Sequence, residues 1–247
     1  MSDVAETAAD CEFVAVTEND PEHVTTVTID RPDARNALHG PLREELKAVF
    51  AAVDESDARV VVLTGSDDAG AFVAGADVSE LRERNAVEQR RASERPRVYE
   101  TVEDVRQPVI ARLNGHALGG GLELALACDV RIATPNATFA ETGVRLGLFG
   151  AWGGTVRLPR VVGEGNAMDL ALSGRTIDAA EALRMGLVSR VVDDPAGVAH
   201  EVAANDTRAL DRLQPLLRHR GTAVDRERAE REAFADLVAR NAEALGN

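Results

Sequence analysis

The segments Ala71-Phe72-Val73-Ala74-Gly75-Ala76-Asp77 and Asn114-Gly115-His116-Ala117-Leu118-Gly119-Gly120-Gly121-Leu122-Glu123-Leu124-Ala125 each connect a strand-like apolar run to a helix-like one. Glycine in such a connection lets backbone approach a ligand with no Cβ in the way. The free N–H groups that open the following helix point outward, with the positive end of its dipole behind them. Amides so placed suit an oxygen that gains negative charge. Glycine-rich turns also bind phosphates, but this triple glycine matches neither GxGxxG nor the P-loop pattern. Glu123 follows Gly120 by three residues, close to one helical turn. It stands among Leu122, Leu124 and Leu126, where a carboxylate is costly to bury without a partner or a purpose. Spacing leaves two readings of Glu123 open: a group that acts on a ligand held by those amides, or a helix-start glutamate favoured by the dipole or paired with an arginine.

These residues need elements to hold them. Phe13 to Thr17 and Val24 to Ile29, separated by Asn19-Asp20-Pro21, predict a hairpin. Leu42, Leu46, Val49, Phe50 and Val53 recur at helical spacing. Val60–Leu63 is a short apolar run that predicts a buried strand, Val109–Leu113 and Val130–Ala133 predict two more strands, and Phe139 lies in a further extended piece. Ser66 to Gly75 has the composition of a surface loop, with a short helix from Asp77. The charged stretch from Asn85 to Arg106 predicts one long solvated helix, and Gly119–Gly121 opens an apolar helix running to Cys128. From Gly163 the pattern is helical: Asn166 to Leu172, Ala179 to Met185, a short strand at Leu187 to Val192, then two long charged helices. Strands alternate with helices to about residue 150, which predicts an α/β core with a helical C-terminal part.

The chain has 247 residues, 45% of them hydrophobic, enough to bury a sizeable core. A formal charge of -14 leaves no surplus of cations to displace phosphate counterions, so neither nucleic acid nor an anionic membrane is an expected partner. The first ten residues are acidic, and no apolar run is long enough to span a bilayer, so the expectation is a cytoplasmic protein. Cys11 and Cys128 lack metal-ligand spacing, so no metal site and no disulfide is expected. Lys47 is the only lysine among many arginines and aspartates, a balance expected of halophilic adaptation, with a GC-rich genome as the alternative source of the arginine bias.

The runs RPDARNAL (31–38), AFVAGADVSEL (71–81), NGHALGGGLELALACDVRIA (114–133), RLGLFGAWGGTVRLPRVVG (145–163) and SGRTIDAAEALRMGLVSRVV (173–192) resemble the enoyl-CoA hydratase/isomerase (crotonase) superfamily, in the family's order. The resemblance implies a crotonase-like spiral of ββα turns over residues 1–195, with residues 196–247 as helices that mediate homotrimers or dimers of trimers. It implies an acyl-CoA thioester as substrate and no separate cofactor. Catalytic roles fall to Ala76 and Gly120, whose N–H groups would hold the thioester oxygen, and to Glu123, which would position or deprotonate the attacking water. The backbone around Ala34 and Ala74 would receive the adenine of CoA. Gly75, Asp77 and Gly119 flank the two donors in the substrate-binding set, and Trp152 would wall the acyl pocket.

Three departures from the family pattern bear on activity. The position of the second glutamate of hydratases is Gly143. Glu141, two residues earlier, is a possible substitute, but in an extended segment its Cα would stand about 7 Å away. Asp33 and Ser79 occupy positions where relatives often carry lysines for CoA, and the chain ends soon after Phe234. Three functions therefore stay open: an enoyl-CoA hydratase-like lyase, an isomerase using a single carboxylate, and a non-catalytic acyl-CoA-binding subunit. His39 and His116 are expected to pack or hydrogen-bond rather than to catalyse.

Overall fold

A computed structural model describes residues 3–19, 23–193 and 195–242. After a short helix α1 (Asp3–Ala9), strands β1 (Val14–Asn19) and β2 (Val24–Ile29) pair antiparallel as expected; their turn lies largely outside the described residues. Helix α2 (Gly40–Glu55) buries Leu42, Leu46, Val49, Phe50 and Val53, the stripe read from the spacing.

From β3 onward the chain winds as repeated strand–strand–helix units. The first strands of successive units, β3 (Val60–Gly65), β5 (Val109–Leu113) and β7 (Val130–Ala133), extend one sheet in the order β1-β2-β3-β5-β7-β10, where β10 is Arg190–Val191. The second strands, β4 (Ala71–Val73), β6 (His116–Leu118) and β8 (Thr138–Ala140), build a second sheet closed by β9 (Ile177–Asp178). Within each sheet the strands contributed by these units run parallel. Strand alternation divides the apolar residues between two faces. Val61, Leu63, Val109, Ala111 and Leu113 enter the main core, whereas Val60, Val62, Ile110 and Ile132 face a smaller cluster covered by Val198, Ala199 and Ala203 of α10 (Ala196–Ala203).

Several local expectations are corrected. Ala71–Val73 is a fully buried strand inside the stretch read as a surface loop. The charged stretch is not one solvated helix: after α3 (Val78–Glu83) come α4 (Ala86–Ala92) and α5 (Val98–Asp104), interrupted around Pro96. Helix α5 is buried through Val98, Tyr99, Glu100 and Val102, because ion pairs satisfy its glutamate. The apolar helix α6 spans Gly120–Ala127, and α7 (Gly154–Val162) begins before the point where helices were expected. It is followed by α8 (Glu164–Ser173) and α9 (Ala179–Arg184). Among the described residues three helices, not two, lie beyond β10. The second of them, α11 (Thr207–Arg218), is tied to the sheet by Arg218, which pairs with Asp129 at 2.7 Å, and by Gln214, which donates to the Gln107 carbonyl at 2.8 Å. The last, α12 (Ala223–Arg240), buries no residue and meets α11 through the Arg212–Asp236 pair.

Candidate active site

The two glycine-bearing turns lie side by side because β4 and β6 are neighbours in the second sheet. Contact there excludes side chains: a Cβ on Gly121 would fall 2.1 Å from the Val73 carbonyl oxygen. Gly75 holds φ at +119°, which side-chain-bearing residues rarely adopt, and faces the Leu118 carbonyl. Around Ala76 the backbone is fixed by its neighbours, since Leu38 N–H donates to Gly75 O and Asp77 N–H donates to Leu38 O, both within 3.0 Å. Those bonds leave the Ala76 N–H unused among the described residues. Gly120 is the first residue of α6, so its N–H has no acceptor within the helix. Gly119 is fastened just before it, donating to Ala140 O at 2.8 Å.

Glu123 is buried on the first turn of α6. Among the described residues it neither pairs with an arginine nor caps its own helix start. Its Oε1 accepts from the Trp152 amide at 2.8 Å and the Gly154 amide at 2.7 Å. Burial raises its pKa, while these two amide donors oppose the rise. Oε2 accepts no hydrogen bond among the described residues and is available to a ligand.

Glu141 is where the extended-strand expectation fails. The strand stops at Ala140, and Glu141 caps a tight 3₁₀ turn, Thr142–Leu146. Its buried carboxyl comes up to Glu123: a Cβ on Gly150 would stand 3.0 Å from Glu141 Oε2 and 3.1 Å from Glu123 Oε1. Neither oxygen of Glu141 has a hydrogen-bond partner among the described residues. Burial, reinforced by the charge of Glu123, pushes its pKa up to about 8. On the Glu141 side this corner opens on an apolar cavity of about 410 Å³, lined by Val144, Phe149, Leu158 and Met168 together with Glu141 and Gly150.

Trp152 is largely buried and stacks on Tyr99 with ring centroids 5.8 Å apart. Its ring and the Tyr99 hydroxyl both stand over Gly120, within 3.2 Å of where a Cβ would be. Sequence reasoning missed Tyr99 and the cluster beside it. Glu100 binds Arg97 at 2.6 Å and Arg157 at 3.5 Å, and Arg157 also pairs with Glu103. Arg97 donates to Ala151 O at 3.0 Å and Arg157 to Trp152 O at 3.1 Å, so the cluster holds the loop whose amides bind Glu123. Burial works to raise the Glu100 pKa, but the hydrogen bonds and charge of Arg97 bring it down to about 2. The available signal is the alternation of charge over Arg95–Glu103, which by composition alone predicts a solvated face.

The remaining predicted positions flank this centre. Ala34 ends a 3₁₀ turn whose next residue, Arg35, accepts from the Ala74 amide at 3.0 Å, which brings those two backbone segments together. The Asp77 carboxylate caps α3 by accepting from Ser79 N–H and pairs with Arg31 at 2.9 Å, so its side chain is committed to the fold. His116 Nδ1 is 2.7 Å from Thr138 Oγ1, and His39 packs edge-on against Phe13.

Residues 19–232 match the family model described as enoyl-CoA hydratase/isomerase. The chain belongs to that family. It is 40% identical over 224 residues to the short-chain-enoyl-CoA hydratase of Clostridium acetobutylicum, covering 86% of this chain and 85% of that protein. Over the same length and coverage it is 40% identical to the crotonyl-CoA hydratase of Syntrophomonas wolfei. Among solved structures, the enoyl-CoA hydratase of Bacillus anthracis superposes with a TM-score of 0.86 at 35% identity, over 92% of each chain. The ββα winding is thus the crotonase fold, and the chain is an enzyme of this family. No helix among the described residues is long and apolar enough to cross a membrane.

Proposed function

We propose that this enzyme adds water across the double bond of a 2-enoyl-CoA thioester. The observation that carries the reading is Glu123: a buried carboxylate whose Oε1 is fixed by the Trp152 and Gly154 amides, one turn above the unused N–H of Gly120. In this reading the amides of Ala76 and Gly120 donate to the thioester oxygen. They stabilise the negative charge that develops there when water attacks the β-carbon. Glu123 Oε2 orients the water and accepts its proton. The joined backbone around Ala34 and Ala74 takes the adenine, Trp152 covers Gly120, and the apolar cavity beside Gly150 receives the acyl chain. The relatives named as hydratases of short-chain enoyl-CoA and crotonyl-CoA support this substrate class. We propose further that the chain assembles through its C-terminal helices as homotrimers or dimers of trimers.

Gly143 favours a second reading, an isomerase in which Glu123 alone moves a proton between two carbons. The first test is incubation with crotonyl-CoA in molar KCl while the absorbance of the conjugated thioester is followed. Absorbance should fall, and Glu123→Gln should slow the fall by roughly 10²- to 10⁴-fold. Turnover no faster than in Glu123→Gln contradicts the hydratase reading.

A further inference from the structure

We propose that Glu141 is a second catalytic residue, the acid that delivers a proton to the α-carbon, a role that Gly143, with no side chain, cannot fill. The inference rests on the hydratase reading and deepens it. Three observations carry it. The Glu141 and Glu123 carboxylates converge on the space in front of Gly150, each about 3 Å from the same point. Glu141 is 5% exposed, and neither of its oxygens meets a donor or acceptor among the described residues. A buried carboxyl without partners is costly for stability alone, which is why such groups gather at functional sites. Position 143, by contrast, is tight and carries no side chain: a Cβ there would stand 3.1 Å from Phe149 Cα and 3.3 Å from the Leu148 carbonyl carbon. A side chain at 143 would need the backbone at 148–149 to give by a few tenths of an ångström. The 3₁₀ turn after β8 instead turns the side chain of 141 into the corner.

The pair has a division of labour. Glu123 has two amide donors and Glu141 has none, so the negative charge settles on Glu123 and the proton on Glu141. The other ionisable groups nearby are Tyr99 on α5, Glu164 on the wall of the same cavity, and Arg97 and Arg157, whose charges reach Glu123. In the reaction a lone pair of water forms the C–O bond at the β-carbon, and the π electrons move to the thioester oxygen as an enolate. The water proton passes to Glu123. The enolate electrons then take the proton of Glu141 at the α-carbon, and the bond pair left behind makes Glu141 a carboxylate. Transfer of the proton from Glu123 back to Glu141 restores the pair, so the net change is addition of one water.

The test uses Glu141→Gln, which keeps the shape of the side chain, and Glu141→Asp, which keeps the acid with a shorter reach. Two rates are read: hydration of crotonyl-CoA, and exchange of the α-protons of butyryl-CoA with deuterium from solvent, which needs the acid but no water addition. Thermal unfolding serves as the folding control. Expected for Glu141→Gln are losses of roughly 10²- to 10⁴-fold in kcat and in exchange, with KM within about threefold. The fall of kcat/KM above about pH 8 should disappear with the carboxyl. Glu141→Asp should regain part of both rates and the basic limb. If the wild type hydrates and Glu141→Gln hydrates and exchanges within about threefold of it, with the same pH profile, Glu141 is a bystander and the proposal fails while the hydratase reading stands. If the wild type neither hydrates nor exchanges, the hydratase reading fails and takes this proposal with it.

Discussion

The carboxylates of Glu123 and Glu141 share one corner: Oε1 of the first and Oε2 of the second stand 3.1 and 3.0 Å from the position that a methyl group on residue 150 would occupy. Gly150 therefore sets the space in which the two act. Gly150→Ala would press on both carboxylates, which must give by a few tenths of an ångström, so kcat should fall by less than the roughly 10²-fold that a misplacement of about 1 Å costs. Steady-state kinetics checks this, with unfolding temperature as the control.

Glu123 is held by amides that are themselves held by arginines. Arg157→Ala removes the pairs to Glu100 and Glu103 and frees the Trp152 carbonyl. Breaking such a buried pair from one side costs about 3 kcal/mol. Denaturant unfolding should show that loss, and kcat should fall because the Trp152 and Gly154 amides lose their fixed positions.

Much of this frame was legible before any coordinates. Val60–Leu63 is a continuous apolar run, and Val109–Leu113 and Val130–Ala133 are short β-branched runs broken only by Arg112 and Arg131, all of strand length, while the five-residue stripe of α2 has helical spacing. Strands β4 and β6 were not legible, because three residues inside glycine-rich connections are too few to show a period. The burial of α5 is not legible because Glu100 is buried by pairing, which charge alone does not reveal. The approach of Glu141 to Glu123 is hidden from the sequence for a geometric reason. Two residues along a strand is a long displacement, whereas the 3₁₀ turn at Thr142 redirects the chain and removes it.

Stability should depend on Glu141 with a defined sign. Its folded-state pKa, about 8, is raised above the ordinary carboxyl value, so the folded state holds a proton that the unfolded chain has released. That contribution is full below about pH 4.5, declines as pH rises, and is lost on passing 8. Glu141→Gln should therefore flatten the decline, and its unfolding temperature should exceed that of the wild type at pH 9. An unfolding-temperature series from pH 5 to 9 on both proteins measures it.

Net charge gives a salt prediction. With a formal charge of -14, like-charge repulsion acts across the whole surface, whereas exposed pairs such as Arg228–Asp225 contribute about 0–1 kcal/mol each. Molar salt shortens the screening length to about 3 Å and removes more repulsion than attraction. The unfolding temperature should rise between about 0.1 and 2 M KCl, as calorimetry would show.

The central claim is that a Glu123-bound water attacks the β-carbon of a thioester held by the amides of Ala76 and Gly120. Reaction of crotonyl-CoA in water enriched in oxygen-18, followed by mass spectrometry of the acyl product, tests it most directly. The account predicts one heavy oxygen on the β-carbon in the wild-type product and a rate of incorporation lower by roughly 10²-fold or more in Glu123→Gln. Conversion of a 3-enoyl-CoA to the conjugated ester with no incorporation from either substrate, or incorporation at equal rates in the two proteins, would contradict it.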